Sequence, residues 1–116
     1  MSNHDKHHLS GTISYNQQMA LPQDAQVEVR LMAVSLAERK INVIAEQVYL
    51  TSGMQVPLPF DIEFDMERID AGLQYAIDAW IEDGTGNLIF KNEGMQFLDI
   101  HQHPMEAVSV HVDPVR

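Results

Sequence analysis

From Leu9 onward, stretch after stretch of this chain repeats apolar residues at every second position, and that period limits the possible folds more than any other feature. A strand points successive side chains to opposite faces, so each such stretch buries one face and wets the other. Val27, Val29 and Leu31 alternate with Glu28, Arg30 and Met32; Phe60, Ile62 and Phe64 alternate with Asp61, Glu63 and Asp65; Val108, Val110 and Val112 alternate with Ser109, His111 and Asp113. Further strands are predicted over Ser10–Gln18, Ile41–Leu50, Tyr75–Glu82 and Leu88–Lys91, with Leu73, Tyr75, Ile77, Ala79 and Ile81 sharing one face.

The punctuation between these stretches agrees. Leu21-Pro22-Gln23-Asp24, Thr51-Ser52-Gly53 and Asp83-Gly84-Thr85-Gly86-Asn87 are turn chemistry, and the last predicts a hairpin. Pro57 and Pro59 cannot donate ladder hydrogen bonds, which sends the strand carrying Phe60 to a sheet edge or starts it just after Pro59. Helix signals are confined to a capping box at Ser35-Leu36-Ala37-Glu38 and one turn over Met66–Ile69, both read as connections. Short strands of this kind must stack two sheets to hide their apolar faces. The expected fold is therefore all-β, an antiparallel β-sandwich of about seven to eight strands, Ig-like or Greek-key in character. Its mainly inward residues are expected to be Val27, Val29, Leu31, Phe60, Ile62, Phe64, Tyr75, Ile77, Ile81, Val108 and Val110. Residues 1–8, with His4, His7 and His8 and no apolar period, read as a flexible leader, and residues 9–116 as a single sandwich domain.

Charge excludes whole classes of partner. Seven Lys and Arg against seventeen Asp and Glu leave a net charge of −10, which repels nucleic acid and anionic membrane surfaces. The absence of cysteine removes disulfides, thiolate metal sites and thiol nucleophiles together. No apolar stretch approaches the roughly 20 residues of a membrane span, and the first ten residues lack the basic and apolar regions of a secretory signal.

Three constellations invite chemistry. Asp61, Glu63 and Asp65 share a strand face near Glu67 and Asp70, but strand spacing sets successive carboxylates about 6–7 Å apart, so a solvated face is favoured over a calcium site. His101 and His103 form an H-x-H pair, with His111 on a later strand; Gln102 and Pro104 mark a loop, which favours surface histidines over zinc. Trp80 stands opposite the Ile77, Ala79 and Ile81 face beside Asp78 and Glu82, either as second-sheet core, the favoured reading, or as an exposed ligand platform. There is no Gly-x-Ser-x-Gly elbow, phosphate-cradling loop or H-E-x-x-H, so no catalytic, cofactor-binding or metal-ligating residue is assigned and no cofactor is expected.

Leu9–Tyr15 (LSGTISY), Ala20–Leu31 (ALPQDAQVEVRL), Ile44–Gln47 (IAEQ), Gln55–Asp65 (QVPLPFDIEFD), Glu67–Ile77 (ERIDAGLQYAI) and Gly86–Phe90 (GNLIF) together resemble the YbaY/YscW-like lipoproteins. The matching positions include Gly11, Thr12, Tyr15, Leu21, Pro22, Pro57, Pro59, Asp65, Ile69, Asp70 and Tyr75. The resemblance is greater to the YbaY branch. It implies a compact β-sandwich on the periplasmic face of the outer membrane, tethered only through a lipid anchor. In the YscW branch it implies a pilotin or chaperone for type III secretion secretins. Lipoproteins of this kind carry a signal ending in a lipidated Cys. Met1-Ser2-Asn3 fits a mature form whose Cys became a start Met, with a signal-less cytoplasmic relative as the alternative.

The expected function is thus a non-enzymatic envelope domain that binds another envelope protein, by strand addition at a sheet edge or through an apolar groove. The alternative is a small-ligand or carbohydrate-related periplasmic module using Trp80 and the acidic strand. With both ion-site candidates read as solvated surface, EDTA is expected to leave the melting temperature unchanged within about one degree. A larger loss in a calorimetric scan restores calcium or zinc.

Overall fold

A computed structural model describes residues 6–100 and 105–115, which form nine strands and one 3-10 turn. The strands are β1 (Lys6–Ser14), β2 (Gln26–Ser35), β3 (Lys40–Leu50), β4 (Leu58–Asp65), β5 (Gln74–Glu82), β6 (Leu88–Lys91), β7 (Gln96–Leu98), β8 (Met105–His111) and β9 (Asp113–Pro114). One sheet has the order β4-β1-β8 and the other β3-β2-β5-β6-β9, with β7 pairing β5 beyond the end of β6. The two sheets bury the alternating residues between them. Leu9 and Ile13, Val27, Val29 and Leu31, Leu58, Phe60, Ile62 and Phe64, Tyr75, Ile77, Ala79 and Ile81, Phe90 and Val110 make one core, and Val108 packs against it partly buried.

The turns behave as their chemistry dictates. Asp83 accepts hydrogen bonds from the Thr85 hydroxyl and from the Thr85 and Asn87 amides, closing the β5–β6 hairpin; those bonds hold its carboxyl below the usual pKa. Ser35 Oγ accepts from the Glu38 amide, but this cap sits in a tight β2–β3 turn and no helix follows. Asp65 caps the 3-10 turn Met66–Arg68, one residue shorter than the predicted Met66–Ile69.

Several expectations are corrected. The first strand runs from Lys6 to Ser14, not Ser10 to Gln18, because Lys6, His7 and His8 pair with Asp65, Phe64 and Glu63. The leader boundary at His8 therefore falls inside the sheet. Beyond Ser14 the chain turns inward, stacking Tyr15 on Phe90 with ring centroids 4.1 Å apart. The sandwich is not wholly antiparallel: β8 runs parallel to β1. Nine strands replace the predicted seven to eight, since β7 and β9 are three and two residues long, too short for a period to show. Leu73 precedes β5 and is only half-buried.

The edge prediction for the proline-bearing strand meets a more specific arrangement. Among the described residues β4 forms a ladder with β1 alone, and its other side is sewn to β3 by side chains. Gln47 Oε1 accepts from the Asp61 amide at 2.8 Å, the Tyr49 hydroxyl donates to the Pro59 carbonyl at 2.6 Å, and Arg68 donates to the Ile44 carbonyl at 2.8 Å. Exposed backbone that templates pairing with other chains is thereby partly satisfied.

The parallel pair has a strict requirement. Its register shifts between Leu9 and Gly11, where β8 carries one extra residue and Ala107 adopts φ 58°. A Cβ on Gly11 would stand 1.8 Å from the Val108 carbonyl oxygen, a backbone atom that cannot swing aside. Gly11→Ala is therefore expected to destabilise the fold by about 1–3 kcal/mol, the usual cost of overpacking, as read from the urea midpoint. A change under about 0.5 kcal/mol would show that β8 does not lie against Gly11.

Candidate functional site

The outward face of β4 carries Asp61, Glu63 and Asp65, with Glu67 and Asp70 beyond the end of the strand, and these acids are spent locally. Asp61 Oδ1 lies 2.8 Å from His8 Nδ1, Glu63 lies 3.8 Å from Lys6 Nζ, and Asp70 accepts from the Gly72 amide. Among the described residues, no three His, Cys, Asp or Glu side chains converge as metal ligands would. His101 and His103 lie outside the described residues; His111 pairs with Asp113 at 3.0 Å.

Trp80 corrects the reading that favoured core. It is half-buried on the outer face of the larger sheet, with the Arg30 guanidinium 4.8 Å and Lys91 Nζ 5.9 Å from its ring centroid. Arg30 pairs in turn with Glu28 and Lys91 with Asp78, so the indole is enclosed in a charge network rather than offered as a bare platform.

The more informative surface lies further along the same outer face. In β2 the alternation stops at Leu31: Leu31, Met32, Ala33 and Val34 are all buried, and so are Tyr75, Ala76 and Ile77 in β5. A strand apolar on both faces is covered on both faces. Leu31, Ala33, Tyr75 and Ile77 belong to the inner core; Met32, Val34 and Ala76 are buried but stand outside it. Register explains this. Val43, Met32, Ala76 and Phe97 form one row across β3, β2, β5 and β7, and Ile41, Val34 and Gln74 form the next. At the rim Leu36, Ile41, Phe97 and Val43 are 67%, 54%, 53% and 39% exposed. Singly such residues are ordinary; gathered at one end of a sheet face they mark a contact surface. The run Leu31–Val34 was the sequence signal for this second apolar layer, and the period-two reading passed over it.

A strap crosses the surface. After β6 the chain leaves the sheet at Asn92 and rejoins it as β7, and Asn92 fills the interruption. Its side-chain oxygen accepts from the Ala79 amide and its nitrogen donates to the Ile77 carbonyl, each at 3.2 Å. A buried amide thus replaces a backbone pair, and residues 93–95 lift off with Gly94 at φ 69°. They bring Met95 to Val34, Leu36 and Ile41, where a mainly apolar groove of about 300 Å³ opens, edged by Arg39 and Lys40. A second cavity, of about 390 Å³, is lined by Ala71, Leu73, Tyr75, Phe97, Leu98 and Ile100. The arrangement can bind; it offers no nucleophile beside a base.

Comparison with known proteins converges on one family. Residues 4–110 match the family described as type III secretion system lipoprotein chaperone (YscW). An uncharacterized lipoprotein, YbaY of Escherichia coli K12, is 33% identical over 73 residues, covering 63% of this chain. The match spans only 38% of that relative's length. Among solved structures, an alternative pilotin from the type II secretion system of Vibrio cholerae superposes with a TM-score of 0.85 at 34% identity, covering 97% of this chain and 99% of that one.

The strap's anchor is directly measurable: Asn92→Ala leaves a buried amide and carbonyl without partners and is expected to cost about 1–3 kcal/mol of unfolding free energy. An unchanged denaturation midpoint would show that the amide is not bridging. His8 gives a pH signature. Its hydrogen bond to Asp61, helped by the charges of Asp61 and Glu63 against a small desolvation, raises its pKa above the ordinary 6.5. The folded state thus favours the protonated ring; its contribution is full below about pH 6.5 and fades as pH rises through the higher folded value. NMR titration is expected to show that elevation, and Asp61→Asn to remove it.

Proposed function

This chain belongs to the YscW family of type III secretion system lipoprotein chaperones, and on that footing we propose that it works by capture: a non-enzymatic envelope module that binds another envelope protein as a pilotin does. The observation that carries the reading is the near-complete superposition on a type II secretion pilotin, at an identity high enough for the likeness to extend beyond the fold. The surface supports it. The exposed apolar residues of the outer sheet face are suited to a protein partner, whereas the acidic strand and Trp80 are engaged with their own neighbours. The family and YbaY are described as lipoproteins, which supports attachment to the envelope by a lipid; the partner class that follows is an outer-membrane secretin or a comparable envelope protein.

The test is a lipid-anchored version of the chain expressed in a Gram-negative host, crosslinked in place and analysed by mass spectrometry. One envelope protein is expected to be enriched, and its outer-membrane assembly to fall when the chain is deleted. Asp61→Asn and Asp65→Asn should leave that capture near normal. Hydrolysis of a glycan or peptide, lost in Asp65→Asn and unaccompanied by any enriched partner, would overturn the proposal.

A further inference from the structure

The chain has three tyrosines, and two of them spend their hydroxyl protons inside the fold. Tyr15 donates to the Met19 carbonyl at 2.7 Å and Tyr49 to the Pro59 carbonyl at 2.6 Å. Tyr75 differs. It is the most deeply buried of the three, 2% exposed, and its oxygen accepts from the Asp70 amide at 2.6 Å, yet among the described residues its proton has no acceptor. A tyrosine hydroxyl both donates and accepts, and a buried donor left unspent carries its desolvation cost without return. Native folds rarely leave such a group without a reason.

The cavity of about 390 Å³ supplies the reason. The β5–β7 ladder ends at the Tyr75–Leu98 pair, and beyond it the two segments line opposite sides of the cavity, Ala71 and Leu73 before β5, Asp99 and Ile100 after β7. The inner core is reached at this point. Of the lining side chains Tyr75 and Ile100 are buried and Leu73 and Leu98 half-buried, so the Tyr75 hydroxyl is the one polar group on an otherwise apolar inner wall. Gln74 and Asp99 are exposed and stand at the rim. One ordered water would satisfy the hydroxyl, but a water accounts for only about 30 Å³. A volume near 390 Å³ falls instead at the lower end of small-molecule sites, roughly 300–1,000 Å³.

We propose that this cavity binds a small uncharged carbonyl compound, an amide, ester or ketone whose oxygen accepts the Tyr75 proton while its apolar body packs against Leu73, Leu98 and Ile100. Charge narrows the class. The Asp99 carboxylate at the rim and the net charge of −10 disfavour a carboxylate or phosphate, and a protonated amine has no lone pair to offer Tyr75. The Gln74 side-chain amide, without a partner among the described residues, is placed to meet a second polar atom of the ligand. The cavity shares no lining residue with the groove at Met95, and the proposal does not depend on the capture reading.

The experiment uses the whole chain with isotope-labelled methyl groups and three probes of similar size: acetanilide, benzoate and ethylbenzene. In an NMR titration acetanilide is expected to saturate with a dissociation constant on the order of 1 mM, shifting the methyls of Leu73, Leu98 and Ile100. Benzoate should bind at least tenfold more weakly than acetanilide. Tyr75→Phe should weaken acetanilide at least threefold and leave ethylbenzene within twofold, a difference that a packing role alone does not produce. Ala71→Trp, a change at an exposed rim position, should fill the cavity, abolish both and leave crosslinked capture of the envelope protein unchanged. Failure of acetanilide to bind would show that water alone fills the cavity and would overturn the proposal. So would shifts confined to other methyls, equal losses of the two probes in Tyr75→Phe, or benzoate binding as tightly as acetanilide. Loss of capture in Ala71→Trp would assign the cavity to the protein partner and overturn it as a small-molecule site.

Discussion

The smaller sheet exists because one backbone is allowed to press against another at Gly11. Among the described residues β1 alone links β4 to β8, and its parallel pairing with β8 brings the Val108 carbonyl into the space a side chain would fill. Leu9 and Ile13, the two inward residues on either side, then meet the larger sheet fully buried. Remove the close approach and β8 loses its partner, Val110 its cover and the crossing from β8 into β9 its direction. The bulge opposite, with Ala107 in the left-handed region, is the local strain that accompanies this fit. It is held in place by the ladder on both sides rather than by any preference of alanine.

The residues that carry the family likeness are, on this view, mostly instructions for assembly. Gly11 admits β8, Tyr15 stacks on Phe90 while donating to the Met19 carbonyl, Asp65 caps the 3-10 turn, and the Tyr75 hydroxyl accepts from the Asp70 amide at 2.6 Å. None of them faces the groove at the end of the outer sheet. The fold and the shape of that groove are therefore written in separate sets of positions, so one sandwich can carry different surfaces.

Much of the architecture was legible because burial on one face leaves a period of two. Val27, Val29, Leu31, Phe60, Ile62, Phe64, Tyr75, Ile77 and Ile81 all point where their spacing says. Strand direction was not legible: nothing in an alternating stretch records whether its neighbour runs parallel, so β8 against β1 could not be read. Nor could β7 and β9, whose formation depends on what β5 and β6 leave unpaired. The contact surface was missed for a related reason. Met32 and Val34 look like lapses in an alternation until Val43, Ala76 and Phe97 are known to lie beside them, and those neighbours come from three other strands. Trp80 was placed on the correct face, but its enclosure by Arg30 and Lys91 requires the register of β2 and β6 against β5.

Asn92 has a consequence for how such a protein can diverge. Since one side-chain amide holds the place of a missing backbone pair, the sheet is complete without any contribution from Glu93, Gly94 or Met95. That stretch can lengthen, shorten or change composition while β5, β6 and β7 keep their register. The fold thereby keeps an interchangeable stretch beside its apolar groove, and a lineage can reshape that groove by editing three residues without reopening the question of how the domain folds.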